Sequence, residues 1–101
     1  MNESEFNQLA DNALARIETA IDNCDAECNR SGNVLEIEFG DGQKIIINRH
    51  DVSQEIWVAA RSGGFHYAWQ DGIWHSRRDG SELFGKLTEL FAGQGEKISL
   101  P

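Results

Sequence analysis

Val34-Leu35-Glu36-Ile37-Glu38-Phe39-Gly40-Asp41-Gly42-Gln43-Lys44-Ile45-Ile46-Ile47-Asn48-Arg49 is the stretch that decides the fold. Its first six residues alternate, with Leu35, Ile37 and Phe39 on one face and Glu36 and Glu38 on the other, the pattern of a half-buried strand. Gly40-Asp41-Gly42 is a hairpin turn signal. Lys44 to Arg49 then returns as the next strand. A hairpin with one apolar side must bury that side against another layer.

Working outward, Glu55 to Arg61 alternates again. Ile56, Val58 and Ala60 are expected to face the core, and Glu55, Trp57, Ala59 and Arg61 to face outward. Ser62-Gly63-Gly64 turns the chain, and Phe65 to Trp69 pairs with Ile73 to Arg77 through Gln70-Asp71-Gly72. A short segment from Glu27 to Arg30 reads as a further edge strand. Helices flank this β-rich centre. Phe6, Leu9, Ala10, Ala13, Ile17, Ala20, Ile21 and Cys24 recur at helical spacing, which predicts a helix from Ser4 to Asn23 capped by Asn2 or Ser4. A second helix is predicted from Ser81, as its cap, to Ala92, with Gly93 as its stop and Leu83, Leu87, Leu90 and Phe91 as its apolar stripe. Gly85 inside it costs about 1 kcal/mol against Ala. Two helices with one apolar face each and a sheet with one apolar face form an α+β two-layer sandwich. Both helices lie on one face of the antiparallel sheet. The 101 residues are expected to form a single domain. The tail from Gln94 to Pro101 is either loose or folded back through Ile98 and Leu100.

The charge is local. Up to Asp41 there are ten acids and two bases, Arg16 and Arg30; from Gly42 onward there are seven of each. Such a patch steers cations and basic partners. An acidic chain with few clustered bases is a poor nucleic-acid binder. No apolar run approaches the roughly 20 residues of a membrane helix, and MNESEFNQLA lacks a signal peptide's basic start and apolar stretch. A cytoplasmic location is the expectation.

On a helix, Asp11, Glu18, Asp22 and Asp25 fall on one side at spacings of 7, 4 and 3, well away from the apolar face. Glu27 extends this ridge, and Glu36 and Glu38 adjoin it if their strand lies nearby. Like charges at this spacing repel, so the ridge gains nothing for folding. It is either a solvated face or a weak site for hard cations such as iron, Mg²⁺ or Ca²⁺, which take oxygen ligands. Strand parity puts Trp57 on the polar face between Glu55 and Arg61, as an interface anchor or as an indole covered by Arg61 or the preceding loop. Trp69 and Trp74 read as packing residues. His50, His66 and His75 are scattered and read as surface histidines, any one of which could add a secondary metal contact. Cys24 and Cys28 read as small, partly buried thiols, since a zinc site wants four ligands. No glycine-rich phosphate loop is present, because no helix follows Gly63-Gly64.

These residues resemble the frataxin family, and its bacterial members in particular. The likeness rests on MNESEFNQLAD, GDGQKIIINR, EIWVAARSGGFHYAW and DGSELFGKLTEL, and spans the chain to about residue 93. Its most specific parts are KIIINR at Lys44 to Arg49 and IWVA at Ile56 to Ala59 followed by SGGFHY. The resemblance implies weak binding of Fe²⁺ and Fe³⁺, with other divalent or trivalent cations able to substitute, on the ridge of Asp11, Glu18, Asp22, Asp25 and Glu27. It also implies a part in iron–sulfur cluster assembly through cysteine desulfurase and its scaffold protein. Partner contacts carry over onto Glu18, Asp22, Trp57, Asn48 and Arg61. Family ridges are often denser in acids; here Thr19, Asn23 and Asn29 intervene. NRHDVSQEIW departs from the family's N-K-Q-x-P-x-x-Q-I-W at His50, Val52 and Glu55.

Three functions follow as expectations. The first is a non-enzymatic iron-binding regulator or chaperone, monomeric, with iron-induced oligomers as an option. The second is a ferroxidase, against which stands the lack of the Glu-x-x-His pairs of di-iron oxidases. The third is an acidic interaction module with no iron role.

Overall fold

The computed structural model describes residues 1–22 and 24–100, and shows α1 (Glu3–Ile21), six strands, and α2 (Leu83–Gly93). The strands are β1 (Glu27–Ser31), β2 (Val34–Glu38), β3 (Lys44–His50), β4 (Glu55–Ala60), β5 (Gly63–Gln70) and β6 (Ile73–His75). They form one antiparallel meander in the order β1-β2-β3-β4-β5-β6. The two helices pack on one face, giving the expected α+β two-layer sandwich.

The opening hairpin behaves as its pattern dictates. Leu35, Ile37, Phe39, Ile45 and Ile47 are buried, and Ile46 faces out. Phe39 N donates to the Gln43 carbonyl and Gly42 N to the Phe39 carbonyl, each at 2.9 Å, closing the turn. Gly42 holds φ 87, a left-handed conformation that glycine adopts without a Cβ penalty. The β5–β6 turn is tighter: Gln70 pairs with Ile73, and Asp71 and Gly72 both take positive φ, as a two-residue I′ hairpin requires.

From the helix layer, α1 contributes Phe6, Ala10, Leu14, Ile17 and Ile21, and α2 contributes Leu83, Leu87 and Phe91. Edge-to-face aromatic contacts tie the layers: Phe6 with Trp74 at 6.0 Å and Phe39 with Phe91 at 5.1 Å. Trp74 is buried and Trp69 packs on it at 5.3 Å, as expected for packing residues.

Several boundaries differ from expectation. Asn2 is the cap of α1, its Oδ1 accepting from Glu5 N at 2.7 Å. The helix ends at Ile21 with Asp22 as its C-cap, so Cys24 and Asp25 are not helical. Asn23, the expected last helical residue, lies outside the described residues, as does Pro101. Ser81 does not cap α2. Glu82 does, with its carboxylate accepting from Phe84 N and Gly85 N, because Ser81 is engaged elsewhere. The β4–β5 turn is Arg61-Ser62, with Ala60 opposite Gly63, so Gly63 and Gly64 belong to β5 and Arg61 to no strand. β6 stops at His75, short of Arg77. The segment after α2 has no regular structure, but Ile98 is buried in the core and Leu100 packs against it, the fold-back arrangement rather than a loose tail.

Candidate functional site

Two surfaces carry the residues singled out from the sequence: the polar flank of α1 with edge strand β1, and the outward face of the sheet around Trp57.

On the flank, Asp11 and Glu18 are not free carboxylates. Arg30 Nη1 donates to Glu18 Oε1 at 3.0 Å and Arg30 Nη2 to Asp11 Oδ1 at 3.2 Å. Arg49 reaches the same Asp11 oxygen and also donates through Nε to Asp51 at 3.1 Å. β1 parity explains this. Cys28 packs towards the core, so Arg30, two residues on, also faces the helix layer and reaches past the sheet edge to α1. Arg49 lies opposite the buried Ile56 and is only 13% exposed in its side chain. The two arginines thus join α1 to β1 and β3. Asp22 and Asp25 are exposed and form no ion pair among the described residues.

The same parity divides the expected ridge. Glu27 lies opposite Glu38 and, with Asn29, faces away from the helices. Glu36 is on that outward face too, paired with Lys44 at 3.0 Å, and this bond raises the Lys44 pKa. The expectation that Glu36 and Glu38 adjoin a continuous helical row is therefore corrected. Asp11, Glu18 and Asp22 run along α1, and Glu27, Glu36 and Glu38 form a second row across the sheet edge. No three His, Cys, Asp or Glu side chains among the described residues converge into a group able to hold a metal ion. The donor set fits diffuse holding of a hydrated cation, with its water shell retained, and not a tight chelate.

Cys24 and Cys28 are both free and partly buried. Burial pushes the Cys28 thiol up, and the nearby charges of Glu18 and Asp22 push it further. Burial, Glu96 and Asp25 do the same to Cys24, whose Sγ lies 3.8 Å from the Lys97 carbonyl. Neither thiol is poised as a thiolate nucleophile.

On the sheet face, Trp57 points outward as parity requires and is half-buried. Its cover is two imidazoles. His50 stacks on one face of the indole at 4.1 Å and 3°, and His66 on the other at 4.3 Å and 6°. Trp57 Nε1 donates to Glu55 Oε1 at 2.9 Å, and His50 Nδ1 lies 2.8 Å from Ser53 Oγ. Asn48 is directly opposite Trp57 on β3, as His66 is on β5. Two of the three histidines read as scattered are thus brought together by register alone. The cover comes in part from the preceding segment, through His50, and not from Arg61, which lines a separate groove beside Lys44 and Lys86.

No helix is long and apolar enough to cross a membrane, among the described residues. Against known proteins, the model of the frataxin-like domain family matches residues 1–97. The chain is 53% identical to the iron–sulfur cluster assembly protein CyaY of Dechloromonas aromatica, over 99% of each. It is 46% identical to the CyaY of Neisseria meningitidis serogroup B, over 99% of this chain and 96% of that protein. Among solved structures, frataxin from Psychromonas ingrahamii, of the CyaY family, superposes with a TM-score of 0.92 at 34% identity, over 100% of this chain and 99% of that one. Trimeric yeast frataxin complexed with ferrous iron gives 0.69 at 26% identity, over 92% and 85%. With the helix–meander–helix order, the acidic α1 flank and the outward Trp57 all in place, and near full-length similarity in sequence and structure, the chain belongs to the frataxin-like family, on its CyaY branch.

Proposed function

We propose that this chain works in iron–sulfur cluster assembly as a non-enzymatic, iron-responsive regulator or iron donor, docking the acidic flank of α1 on a basic surface of cysteine desulfurase. The observation that carries this reading is the charge arrangement from the end of α1 to the start of β1. Asp22, Asp25 and Glu27 have no ion-pair partner among the described residues, while Asp11 and Glu18 are already held by arginines. The unpaired carboxylates are the ones available to hydrated Fe²⁺ or Fe³⁺, and to other cations of like charge. They are equally available to the Lys and Arg side chains of a partner. Full-length similarity to proteins named for iron–sulfur cluster assembly supports the same reading. The structure with ferrous iron of a yeast relative supports an association with iron.

Asn48 and Trp57 form a second contact surface on the sheet, suited to the scaffold protein. Its indole is preset between two rings and loses little conformational freedom on binding.

An anaerobic NMR titration of ¹⁵N-labelled protein with cysteine desulfurase, with and without Fe²⁺, tests the proposal. Perturbation centred on Asp22, Asp25 and Glu27, strengthened by iron, is the expected result. Glu18→Lys with Asp22→Lys should weaken both iron and desulfurase binding and leave the fold intact. Affinities unchanged by that double substitution overturn the flank as the docking site.

A further inference from the structure

A groove of about 630 Å³ opens between the β4–β5 turn and the segment after β6, separate from the acidic flank. Gly63, Gly64, His66, His75, Arg77 and Arg78 contribute to its wall. Three observations set it apart. Arg77 and Arg78 make no ion pair among the described residues, although the chain carries 17 acids against 9 bases. His75 Nδ1 is buried without a hydrogen-bond partner among the described residues. Buried polar nitrogens are almost always partnered, so this one is an exception, and it belongs to a residue that lines the groove. Finally, a Cβ placed on Gly63 would meet nothing within 4 Å, and one on Gly64 only the Val58 carbonyl oxygen at 4.0 Å, so this wall is open backbone.

Two carboxylates also line the groove, and both are committed. Glu55 accepts from Trp57 Nε1, and Asp79 Oδ1 accepts from both the Ser81 hydroxyl at 2.7 Å and the Ser81 amide at 3.0 Å. Their two charges are matched by the two guanidinium groups. This leaves the guanidinium N–H donors of Arg77 and Arg78 without an ion-pair acceptor among the described residues. His66 is fixed by its stack on Trp57, so its ring forms a rigid part of the rim.

We propose that this groove binds a small oxyanion, phosphate or polycarboxylate in type, held by the forked donors of Arg77 and Arg78 and by His75. Guanidinium groups are matched to such ligands because they offer paired N–H bonds to two oxygens at once. The site is independent of the iron reading, since none of its residues lies on α1 or β1.

The test is a ¹H–¹⁵N NMR titration of the whole chain with inorganic phosphate, and in a parallel arm with citrate, at ionic strength held constant with NaCl. Saturable shifts confined to Gly63, Gly64, His66 and residues 75–79 are expected in at least one arm. Arg77→Gln with Arg78→Gln should weaken that binding at least about tenfold, as the loss of charge-assisted hydrogen bonds implies. His75→Phe should weaken it as well, and Lys97→Gln, outside the groove lining, should not. Saturation by phosphate alone or citrate alone identifies the source of the oxyanion. Shifts that stay linear in both arms, or that spread over all basic residues, overturn the proposal.

Discussion

Asp79 is held chiefly by Ser81, with smaller help from Ser76 and Lys86. The Ser81 hydroxyl, and after it the Ser81 amide, donate to its carboxylate and pull its pKa from 3.8 down to about 2. Unfolding removes both donors and returns the group to its ordinary value. Ionised Asp79 therefore stabilises the native state at pH above that ordinary value, and the contribution is lost as pH falls from 3.8 towards 2. Ser81→Ala removes the largest cause and should raise the midpoint of Asp79 in a carboxyl-detected NMR titration. A midpoint still at about 2 in the variant would show that the backbone amide alone suffices. Trp57 illustrates what sequence gives at this scale. Alternation along β4 was enough to point the indole outward. It could not show His50 and His66 on its two faces, because those contacts depend on how β3 and β5 slide against β4. Strand register comes from turn lengths and the packing of the whole apolar face, and no single strand contains it.

At the scale of elements, the ends were harder to read than the elements themselves. Both helices, β2 and β4 are legible from periodicity, since apolar spacing of 2 or 3.6 is imposed directly by burial, whereas β3, β5 and β6 are legible from the turns that join them and β1, with one partly buried residue, only as a short segment before β2. Caps depend on side-chain geometry within one turn. Ser81 and Glu82 are adjacent, and serine is the commoner cap, yet Ser81 is drawn to Asp79 and Tyr67 while both Glu82 oxygens serve the helix. Glu82→Ala should therefore lower stability by about 0.5–2 kcal/mol, the usual range for a lost N-cap. Reversible thermal unfolding would register this as a lower Tm. An unchanged Tm would mean that the first turn of α2 is held by Leu83 packing alone. The flank of α1 shows the same division between what is local and what is not. Helical projection correctly set Asp11, Glu18 and Asp22 apart from the apolar face. From the sequence Arg30 reads only as a base and a strand end, although a signal for its pairing with α1 exists: it is two residues beyond Cys28, so a β1 strand that turns Cys28 inward must turn Arg30 towards α1.

For the whole molecule, the formal charge of -8 overstates the field at the upper part of the α1 flank. Arg30 and Arg49 sit among the acids there, and Arg30 alone touches two of them. On the proposed reading, Arg30 tunes cation affinity, and it does little for folding, because exposed ion pairs are worth about 0–1 kcal/mol. Removing it leaves the carboxylates in place and deletes one positive charge. For a divalent ion about 8 Å away in a solvent-like dielectric, that charge opposes binding by about 1 kcal/mol, roughly a fivefold effect at low salt. Near physiological ionic strength the Debye length is also about 8 Å, which cuts the effect to about twofold. Arg30→Ser should therefore tighten Mn²⁺ binding, read by paramagnetic broadening of the Glu18, Asp22 and Asp25 amides, about fivefold at low salt and about twofold in physiological salt. The salt dependence separates this from a structural change. A variant whose gain survived added salt would have rearranged the flank, and one with no gain at low salt would place the cation beyond the reach of Arg30. On the proposed reading, an arginine from the edge strand would then set how much iron the helix holds, and a basic partner surface would compete for the same carboxylates.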